Sequence, residues 1–420
     1  MTPAERLRAL FDAAVAAADP MRVVPAALPP KPAGRVVVIG AGKASARMAE
    51  AVEAAWGPCE GLVITRYGYG RPTRGVEIVE AAHPVPDPAG EAATRRMLAL
   101  LDALGPADFV LALISGGGSA LLTAPAGAIT LGEKRAVTEA LLASGAPIGQ
   151  MNTVRKHLSR VKGGQLAAAA HPARMLALLV SDVPGDDPAD IASGPVTGER
   201  STPADARAIL QRWGIAAPAS VEAVLSGPPR VVPPGDPRLG RVETRIVAAP
   251  AQSLAAAAEL AASWGFEPRI GGDALEGEAR VLGARLAAEA VAAQEVMAPG
   301  SSGVVLLTGG ECTVTRRGDG LGGPNAEFAL AAALELGGRR GIHLIACDTD
   351  GVDGAAEVAG AIVGPETLAQ ARAAGFDPEA ALARNDAHGF FEGAGGAVVT
   401  GPTLTNVNDF RCFLIEPPAA

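Results

Sequence analysis

FVLALISGGGSALL, residues 109–122, carries the strongest structural signal in this chain. Its first six residues, Phe109–Ile114, form a continuous apolar run, which is typical of a parallel strand buried on both faces. The three glycines that follow have no Cβ, so the backbone of this turn can approach a ligand closely. Ser119 is predicted to cap a helix whose first N–H groups lie at the positive end of the helix dipole. Strand, turn and helix together predict a phosphate site formed by Ser115, Gly116, Gly117, Gly118 and Ser119.

The composition is that of a well-packed globular protein with more than one domain. The chain has 420 residues, of which 49% are hydrophobic and 19% are charged. This length exceeds what one ordinary hydrophobic core supports, so two domains are expected. Only 3% of the residues are aromatic, so alanine, leucine and valine must fill the core.

The charge and the cysteines exclude several classes of protein. A formal net charge of −9 argues against a nucleic-acid-binding surface, and an anionic substrate would need a locally basic pocket. The four cysteines contain no C-x-x-C pair, which favours reduced core thiols over a metal or redox site. Residues 1–10 contain no long apolar region. We therefore predict no signal peptide and no membrane span, and we expect a cytoplasmic protein.

Strand and helix patterns alternate along the chain, which predicts an α/β fold whose sheet is covered on both faces. The segment SGPPRVVPPGDPRLG, residues 226–240, is dense in proline and glycine and is predicted to be a linker. We therefore place one domain at residues 1–235 and a second at residues 241–420. Ligands of open α/β sheets bind beyond the carboxyl ends of strands, where the polar clusters of this chain fall. This pattern predicts an active site in a cleft between the two domains.

A lysine follows the first predicted strand in VVVIGAGKAS, residues 36–45. Gly40 and Gly42 resemble a dinucleotide fingerprint, but Ser45 stands where the third glycine belongs. The run also lacks the first glycine and the final Ser/Thr of a Walker A loop. A cation at the N-terminus of a helix opposes the helix dipole, so Lys43 is not placed there for stability. We expect its ammonium to meet a transferring phosphoryl group, with a solvated surface lysine as the alternative.

A basic run follows further along, NTVRKHLSRVKGGQL, residues 152–166. A helix would place Arg155, Ser159 and Lys162 along one face. Because guanidinium binds carboxylate and phosphate groups bidentately, the run predicts a site for either anion. Its alternative interpretation is a solvated basic helix face, which fits the spacing equally well.

Two acidic residues follow predicted strands directly. Asp182, in SDVPGDDP, occupies the position of a Mg²⁺ ligand or a general base. The neighbouring Asp186 and Asp187 are better explained as caps of the next turn. Glu311 places a carboxylate after the glycine turn of TGGE.

The second half contains two more polar loops. The loop GDGLGGPN, residues 318–325, precedes a helix for which Asn325 is the predicted N-cap. The run DTDGVDG, residues 348–354, resembles a calcium loop but lacks the later Glu of an EF-hand. We interpret Asp350 and Asp353 as carboxylates of the cleft, with a purely structural turn as the alternative.

Taken together, these motifs resemble the class II glycerate 2-kinases, a family with a C-terminal MOFRL-type domain. The resemblance spans nearly the whole chain, and although each motif is weak alone, their order and spacing make the set specific. It rests on GAGKAS, SGGGSALL, NTVRKHLSRVKGG, SDVPGDDPADIASGP, TGGE, GGPNAEFAL, DTDGVDG and TNVND.

The resemblance implies both a fold and an activity. The implied fold is a Rossmann-like three-layer domain followed by a smaller α/β domain with a mixed sheet. The implied activity is phosphorylation of D-glycerate at its C-2 hydroxyl by ATP with Mg²⁺, which yields 2-phosphoglycerate. Glycerate and ATP are then the small-molecule partners. The oligomeric state stays open, with a homodimer as one alternative.

The kinase interpretation gives each candidate residue a role. The family's lysine in GAGK falls on Lys43, whereas the arginine that some members carry in a GGRN run is Pro324 here, with Arg155 or Arg317 as substitutes. The catalytic candidates are Lys43, Asp182 and Arg155. The nucleotide candidates are Gly40, Gly42, Ser115, Gly116, Gly117, Gly118, Ser119, Glu311 and Asn325. The substrate candidates are Arg155, Lys156, Lys162, Asp350 and Asp353, and the Mg²⁺ candidates are Asp182 and Asp350.

Two other functions remain as alternatives. The first is an NAD(P)H-dependent hydroxypyruvate reductase, a name often given to related chains. The second predicted strand ends at Thr65 and Arg66 with no carboxylate for a ribose diol, which disfavours NAD and leaves NADP open. The second alternative is a non-catalytic nucleotide sensor, which the many predicted cleft carboxylates disfavour.

Overall fold

A computed structural model describes residues 1–418, which form two compact units. The first, here called the Rossmann-like unit, is Pro20–Val247. The second, here called the mixed-sheet unit, combines Met1–Asp19, with helix α1 (Pro3–Ala17), and the chain from Ala248 onward. This division differs from the predicted domains because the first helix belongs with the C-terminal half and residues 241–247 belong with the first sheet.

The proline-rich segment predicted as a linker is instead an ordered part of the Rossmann-like unit. Val231 and Val232 near its centre are buried. The N–H of Val232 donates to the carbonyl of Gly163 at 2.9 Å, and its carbonyl accepts from the N–H of Glu199 at 2.8 Å. The prediction was wrong because two apolar residues and their backbone bonds fix the segment against its own unit.

The Rossmann-like unit contains a six-stranded sheet flanked by helices. Its strands are β1 (Val36–Ala41), β2 (Glu60–Arg66), β3 (Val76–Ala81), β4 (Phe109–Ile114), β5 (Arg174–Val180) and β6 (Val242–Ala248). Its helices are α2 (Pro20–Ala27), α3 (Ser45–Trp56), α4 (Pro88–Asp102), α5 (Gly118–Leu121), α6 (Leu131–Ser144), α7 (Ile148–His157), α8 (Gln165–Ala170), α9 (Pro203–Arg212) and α10 (Ala219–Ser226). Short 3₁₀ turns lie at Pro184–Asp186, Ile191–Ser193 and Pro237–Leu239.

The strand order of this sheet creates a topological switch point. The order is β3-β2-β1-β4-β5-β6, and the pairs β3–β2, β2–β1, β1–β4 and β4–β5 are parallel. The chain leaves β1 toward one side of the sheet and β4 toward the other. Open α/β sheets bind ligands beyond the carboxyl ends of the strands at such a point. The sequence that follows β1 and β4 is therefore where a site is expected.

Helices cover both faces of the central strands. Every residue of β1 and of β4 is buried, although alternate side chains point to opposite faces. On one face, Val37 and Ile39 belong to a core that includes Met97 of α4 and Leu166 of α8. The predicted three-layer arrangement is confirmed.

A separate helical core lies beside the sheet, built from α6, α7, α9 and α10. Helix α6 begins at a capping box, in which the Thr130 hydroxyl accepts the N–H of Glu133 and the Glu133 carboxylate accepts the N–H of Thr130. The residues of α6 buried toward this side are Lys134, Val137 and Leu141. A lysine thus occupies a position that the helical period assigns to the core.

The mixed-sheet unit contains a six-stranded sheet of order β13-β12-β11-β14-β9-β7 and a two-stranded sheet of β10 and β8. Its strands are β7 (Glu267–Ile270), β8 (Gly277–Glu278), β9 (Val304–Gly310), β10 (Cys312–Thr313), β11 (Ile342–Asp348), β12 (Gly360–Val363), β13 (Ala397–Val398) and β14 (Asp409–Ile415). Its remaining helices are α11 (Pro250–Ser263), α12 (Ala279–Glu295), α13 (Pro324–Leu336), α14 (Thr367–Ala373), α15 (Pro378–Ala383) and α16 (Ala387–Ala394). The β7–β9 pair is parallel and the other pairs of the larger sheet are antiparallel, as expected for a mixed sheet.

Helix α1 is held in the mixed-sheet unit by its apolar face. Leu7, Leu10 and Phe11 are buried in one core with residues of α11, β9, β11 and β14. The carbonyl of Ala14 accepts a hydrogen bond of 2.8 Å from the hydroxyl of Ser253 in α11. Within residues 1–418, no helix is long and apolar enough to cross a membrane.

Candidate active site

Two turns meet at the switch point of the Rossmann-like unit. The backbone N–H of Lys43, in the turn after β1, donates to the carbonyl of Gly116 at 2.8 Å. The next N–H, that of Ala44, donates to the hydroxyl of Ser115 at 3.0 Å. Ser115 is fully buried, so its hydroxyl holds the two turns together. The backbone of Lys43 is thereby fixed against the glycine turn that was predicted to bind phosphate.

Gly40 and Gly42 are explained by the close approach of these turns. A Cβ on Gly42, whose φ is +143°, would lie 2.1 Å from the Ser115 hydroxyl oxygen. A Cβ on Gly40 would lie 2.4 Å from the carbonyl oxygen of Leu113 in β4. Both glycines were predicted to contact a nucleotide. The structure shows that each is required by contact with β4 or the turn after it, and the nucleotide contact stays a prediction.

The helix predicted after the glycine turn is a single turn, α5, and Ser119 does not cap it. Gly117 is the N-cap, with φ of +77°, and Ser119 lies inside the helix. The hydroxyl of Ser119 is 2.8 Å from the hydroxyl of Ser193. A Cβ on Gly118 would lie 2.8 Å from Ala192 Cβ, so the turn packs tightly there. Over residues 1–418, the backbone bonds of turns and loops leave the N–H groups of Gly116 and Gly117 unused.

A cavity of about 180 Å³ opens beside this turn. A single water needs only about 10–15 Å³ of such space, so the cavity can hold a small molecule. Over the described part of the chain, its lining includes three cationic side chains and no carboxylate. The lining residues are His83, Pro84, Pro86, Gly117, Ser119, Ala120, Lys134, Thr138, Arg155 and Lys162. This is the locally basic pocket that an acidic protein needs in order to bind an anionic substrate.

Of the three cations of the cavity, Lys134 and Lys162 are buried and Arg155 is half-buried, and all three retain unused hydrogen-bond donors. The ammonium of Lys162 donates to the carbonyls of Ser119 (2.7 Å) and Leu122 (3.4 Å). That of Lys134 donates to the hydroxyl of Thr123 at 3.1 Å. Since an ammonium has three donors, one of Lys162 and two of Lys134 remain for a bound anion.

Burial lowers the pKa of each cation, and repulsion by neighbouring cations lowers the pKa of the two lysines further. Burial, reinforced by the charge of Arg155, lowers the pKa of Lys134 to about 8. Burial and the charges of Lys134, Arg155 and Lys156 lower the pKa of Lys162 well below its usual range. Burial also lowers the pKa of Arg155. A bound anion would relieve this repulsion, which gives the cavity an electrostatic preference for negative charge.

Arg155 and Lys162 line the cavity together, although not on the helical face that was predicted. Helix α7 ends at His157, and Ser159 forms a β-bridge with Pro125. Lys162 therefore reaches the cavity from the turn beyond the helix. The prediction placed Arg155 and Lys162 together correctly, but the shared helical face on which it rested does not exist.

Lys156 has a different role from the one predicted. Its ammonium is buried and pairs with the carboxylate of Glu199, with Asp190 at 3.8 Å. The carboxylate of Glu199 also accepts the N–H of Ser201 at 2.7 Å. Lys156 thus neutralises a half-buried carboxylate of its own unit and does not line the cavity, which disfavours the predicted role in binding substrate.

Sequence reasoning missed two lining residues, Lys134 and His83. A signal for Lys134 was present because it shares the spacing of Val137 and Leu141, and a charged residue on the buried face of an amphipathic helix requires an explanation. His83 lies two residues after β3, at the same edge of the sheet as the other strand ends. No motif around His83 marked it.

Asp182 lies just beyond the end of β5, also at the carboxyl edge of the parallel sheet, and it is half-buried. It is not part of the cavity lining. The side chain of its neighbour Asp187 accepts the N–H of Ala189 at 2.8 Å, which agrees with the turn-capping role expected for it. The role of Asp182 itself stays a prediction.

In the mixed-sheet unit, Asp353 caps a helix. Its two carboxylate oxygens accept the N–H groups of Asn325 (2.9 Å) and Ala326 (2.8 Å) at the start of α13. Asp353 is fully buried. Burial raises its pKa to about 7, with a further increase from Asp409, and outweighs the opposite effect of the two N–H donors. These contacts favour the structural alternative for Asp353, and its role in binding substrate stays a prediction.

Asn325 is not the N-cap of α13, as predicted, because the helix begins at Pro324 with Gly323 as its cap. A Cβ on Gly323 would lie 2.3 Å from Asp353 Cγ, which leaves room there only for glycine. The buried amide of Asn325 donates to the carboxylate of Asp409 at 2.6 Å. Asp409 in turn pairs with the fully buried Arg411. Asn325 therefore belongs to a buried polar network of its own unit.

The last predicted residues lie in loops of the mixed-sheet unit. Glu311 is exposed immediately after β9. Asp350 is fully buried, and its carboxylate accepts the N–H of Val352 at 2.8 Å. Within residues 1–418, no group of three or more His, Cys, Asp and Glu side chains is arranged to hold a metal ion.

Comparison with known proteins covers most of the chain. Residues 6–226 match a family described as a domain of unknown function, DUF4147, and residues 304–409 match the MOFRL family. The first match holds the sheet edge and cavity described above. The second holds α13, β11 and the Asp353 cap.

Individual relatives carry two different names. A protein of Agrobacterium vitis named putative hydroxypyruvate reductase is 52% identical over 97% of this chain and 94% of its own length. The D-glycerate 2-kinase of Thermotoga maritima is 40% identical over 96% of this chain and 95% of its own. A crystal structure of glycerate kinase from T. maritima has a TM-score of 0.86 and 38% identity, covering 98% of this chain and 99% of that one.

Proposed function

Because this chain belongs to the glycerate kinase family marked by a DUF4147 region and a MOFRL region, we propose that it phosphorylates D-glycerate at the C-2 hydroxyl with ATP. The products are 2-phospho-D-glycerate and ADP. The observation that carries the proposal is the cationic cavity beside the turns of the switch point. A three-carbon carboxylate is the size and charge of ligand that such a cavity fits.

The carboxylate of glycerate binds to Lys134, Arg155 and Lys162. Each retains donors that the protein does not use. One N–H of the Arg155 guanidinium donates to the side-chain oxygen of Asn152 at 3.3 Å, and the others remain. A guanidinium can then meet the carboxylate with two parallel N–H groups. This arrangement places the C-2 hydroxyl toward Gly117 and Ser119, which line the same cavity.

The phosphates of ATP bind at the adjoining turns. The N–H groups of Gly116 and Gly117 are directed to no backbone partner within the described residues, and successive N–H groups of this kind bind anions. Lys43, whose backbone is fixed by Gly116, supplies the ammonium that neutralises the transferring phosphoryl group. Phosphoryl transfer depends mainly on positioning and charge neutralisation, which these groups provide.

A magnesium ion completes the charge neutralisation in this proposal. Mg²⁺ usually takes one or two carboxylates, together with substrate phosphates and water. Asp182 fits the protein's part of that set because it is a half-buried carboxylate at the carboxyl edge of the sheet. When bound, the ion would offset negative charge on the phosphates.

The reductase alternative is disfavoured by two features of the Rossmann-like unit. Strand β2 ends at Arg66, whose guanidinium lies 5.3 Å from the centre of the Tyr69 ring, with no carboxylate at the ribose position. Ser45 replaces the third glycine, and its hydroxyl donates to the carbonyl of Leu113 at 2.9 Å. Neither feature suits a dinucleotide.

One pair of assays tests the proposal. ADP release is measured with ATP, Mg²⁺ and D-glycerate, and ³¹P NMR of the product identifies the phosphorylated carbon. In parallel, hydroxypyruvate is supplied with NADH or NADPH and absorbance is followed. We expect ADP release and a 2-phospho product, with no oxidation of either nicotinamide. Tight ATP binding without turnover would instead indicate a nucleotide sensor.

A further inference from the structure

His83 faces the cavity from the edge of the parallel sheet. It follows the end of β3 by two residues and is half-buried. It lines the cavity together with Gly117 and the three cations. Since β3 runs parallel to β1 and β4 through β2, the ends of these strands lie at one edge of the sheet. The histidine therefore approaches the switch point from a third strand.

One edge of the imidazole ring is directed at Gly117. A Cβ on Gly117 would lie 3.1 Å from both Cδ2 and Nε2 of His83. The same point is 3.1 Å from Cγ of Lys43. A side chain on Gly117 would therefore contact both His83 and Lys43. Of the two ring nitrogens of His83, Nε2 is the one next to Gly117.

Phosphoryl transfer to an alcohol releases a proton, and the cavity offers few groups to take it. Three lining residues within the described chain can exchange a proton, His83, Lys134 and Lys162, because burial lowers the pKa of both lysines. Both ammonium groups must remain protonated to attract the carboxylate, and they donate to Thr123, Ser119 and Leu122. His83 is therefore the group left to act as a base.

Four cationic side chains lie around His83. Lys134, Arg155 and Lys162 line the same cavity, and Lys43 lies beside Gly117. The following segment carries two carboxylates, those of Asp87 and Glu91. Asp87 accepts the hydroxyl of Tyr67 and the N–H of Gly90, and Glu91 pairs with Arg95. A neutral imidazole can accept a proton, as a base must.

We propose that His83 is the general base of the reaction, an assignment that rests on the proposed kinase function. Nε2 accepts the proton of the C-2 hydroxyl as that oxygen forms a bond to the γ-phosphorus. The bond from the γ-phosphorus to the bridging oxygen breaks, and ADP leaves with its electron pair. The imidazolium then returns the proton to solvent. In this assignment Asp182 would bind the metal ion and would take no part in the proton transfer.

The test compares His83→Asn and His83→Gln with His171→Asn. His171 is a matched control because it also precedes a proline in the same unit and is exposed. We expect kcat of both His83 variants to fall about 10²–10⁴-fold, the usual contribution of a general base. KM for glycerate should change less than threefold, and circular dichroism and melting temperature should match the wild type. The control should retain wild-type kcat.

The pH profile separates a base from a merely structural residue. Wild-type kcat should fall on the acidic side between about pH 5 and pH 8, where histidine takes up a proton. This acidic limb should disappear in the His83 variants, and added imidazole should restore part of the rate of His83→Asn. If the acidic limb is lost in Asp182→Asn but persists in His83→Asn, Asp182 is the base.

The outcomes also distinguish this inference from the proposed function. A wild-type protein that releases no ADP with D-glycerate overturns the kinase proposal itself. An active wild type whose His83 variants keep kcat within fivefold overturns only the role of His83. If both variants fail to fold, the wild-type profile decides, because a flat kcat between pH 5 and pH 8 contradicts the inference.

Discussion

The backbone N–H of Ala44 and the hydroxyl oxygen of Ser115 lie 3.0 Å apart, which joins the turn after β1 to the turn after β4. The Ser115 oxygen also lies 3.3 Å from the hydroxyl of Ser45. One buried hydroxyl therefore serves both turns of the switch point. The position of Lys43, one residue before Ala44, depends on this contact.

Ser115→Ala is expected to lower both stability and kcat. The variant leaves the buried N–H of Ala44 without an acceptor, which costs about 1–3 kcal/mol. Urea denaturation measures the loss, and the ADP-release assay measures kcat. Ser144→Ala is the control because that hydroxyl only bonds the carbonyl of Leu141 at the end of α6, and it should change stability by about 0.5 kcal/mol or less. A Ser115→Ala protein as stable as the wild type would contradict the structural role.

Lys43→Ala is expected to lower kcat about 10²–10³-fold with little change in melting temperature. The loss is that of one group stabilising charge in the transition state, and Lys43 is a half-buried residue outside the hydrophobic cores. Lys31→Ala provides the control, since its ammonium bonds the carbonyls of Trp56 and Pro58 at the end of α3. Wild-type kcat in Lys43→Ala would remove this lysine from the mechanism.

Lys134→Met is expected to raise KM for glycerate at least tenfold. In the wild type, Lys134 has a pKa of about 8 and is protonated below it, so KM should rise as the pH passes upward through 8. Initial rates from pH 6.5 to pH 9.5 measure this, and the alkaline rise should be absent in the variant. Lys156→Met is the contrasting change. It leaves the carboxylate of Glu199 without its ion-pair partner, which should lower the free energy of unfolding by about 3 kcal/mol. The KM for glycerate should stay within twofold of the wild-type value.

The same lysine makes a prediction about stability with a definite sign. In the unfolded chain a lysine titrates near pH 10.4, above the folded value of about 8. Between these values the unfolded state binds more protons, so wild-type stability should rise with pH relative to Lys134→Met. The slope is at most about 1.4 kcal/mol per pH unit. Melting curves at pH 7.5 and pH 9.5 compare the two proteins, and a difference that does not change with pH would refute the assignment.

Asp353→Asn should show the opposite dependence on pH. Burial raises the folded pKa of Asp353 to about 7, above the unfolded value near 3.9, so its favourable contribution is complete below pH 3.9 and is lost as the pH rises through 7. Relative to Asp353→Asn, the wild type should therefore lose stability between pH 5 and pH 8, as measured by melting temperature. Asp377→Asn, at the exposed cap of α15, is the control and should change stability by a few tenths of a kcal/mol at either pH.

Much of the parallel sheet could be predicted because its strands are continuous apolar runs. The strand predicted at Phe109–Ile114 has those bounds in the structure. Buried parallel strands need apolar residues on both faces, so their sequence alone defines them. The glycine turns after β1 and β4 could likewise be predicted from their local sequence alone.

The rest depends on contacts between distant parts of the chain. Residues 226–240 have linker composition, but Val232 bonds Gly163 and Glu199. Asp353 has the spacing of a metal loop, but it caps a helix that begins 29 residues earlier. Lys156 and Lys162 lie in the same basic run and look equivalent in the sequence. Only the position of Glu199 makes Lys156 part of a buried ion pair, whereas Lys162 lines the cavity. Long-range partners of this kind leave no local pattern.

Helix α1 and strand β14 stand at opposite ends of the chain and share one core. Strand β14 also lies between β9 and β11, so the six-stranded sheet cannot form as a whole until β14 has been synthesised. At about 5–20 residues per second, a ribosome takes roughly 20–80 s to synthesise the chain between them. Throughout that time Leu7, Leu10 and Phe11 have emerged without the surface that covers them. The nascent chain therefore exposes the apolar face of helix α1. How well this face is shielded during translation governs how much of the protein folds.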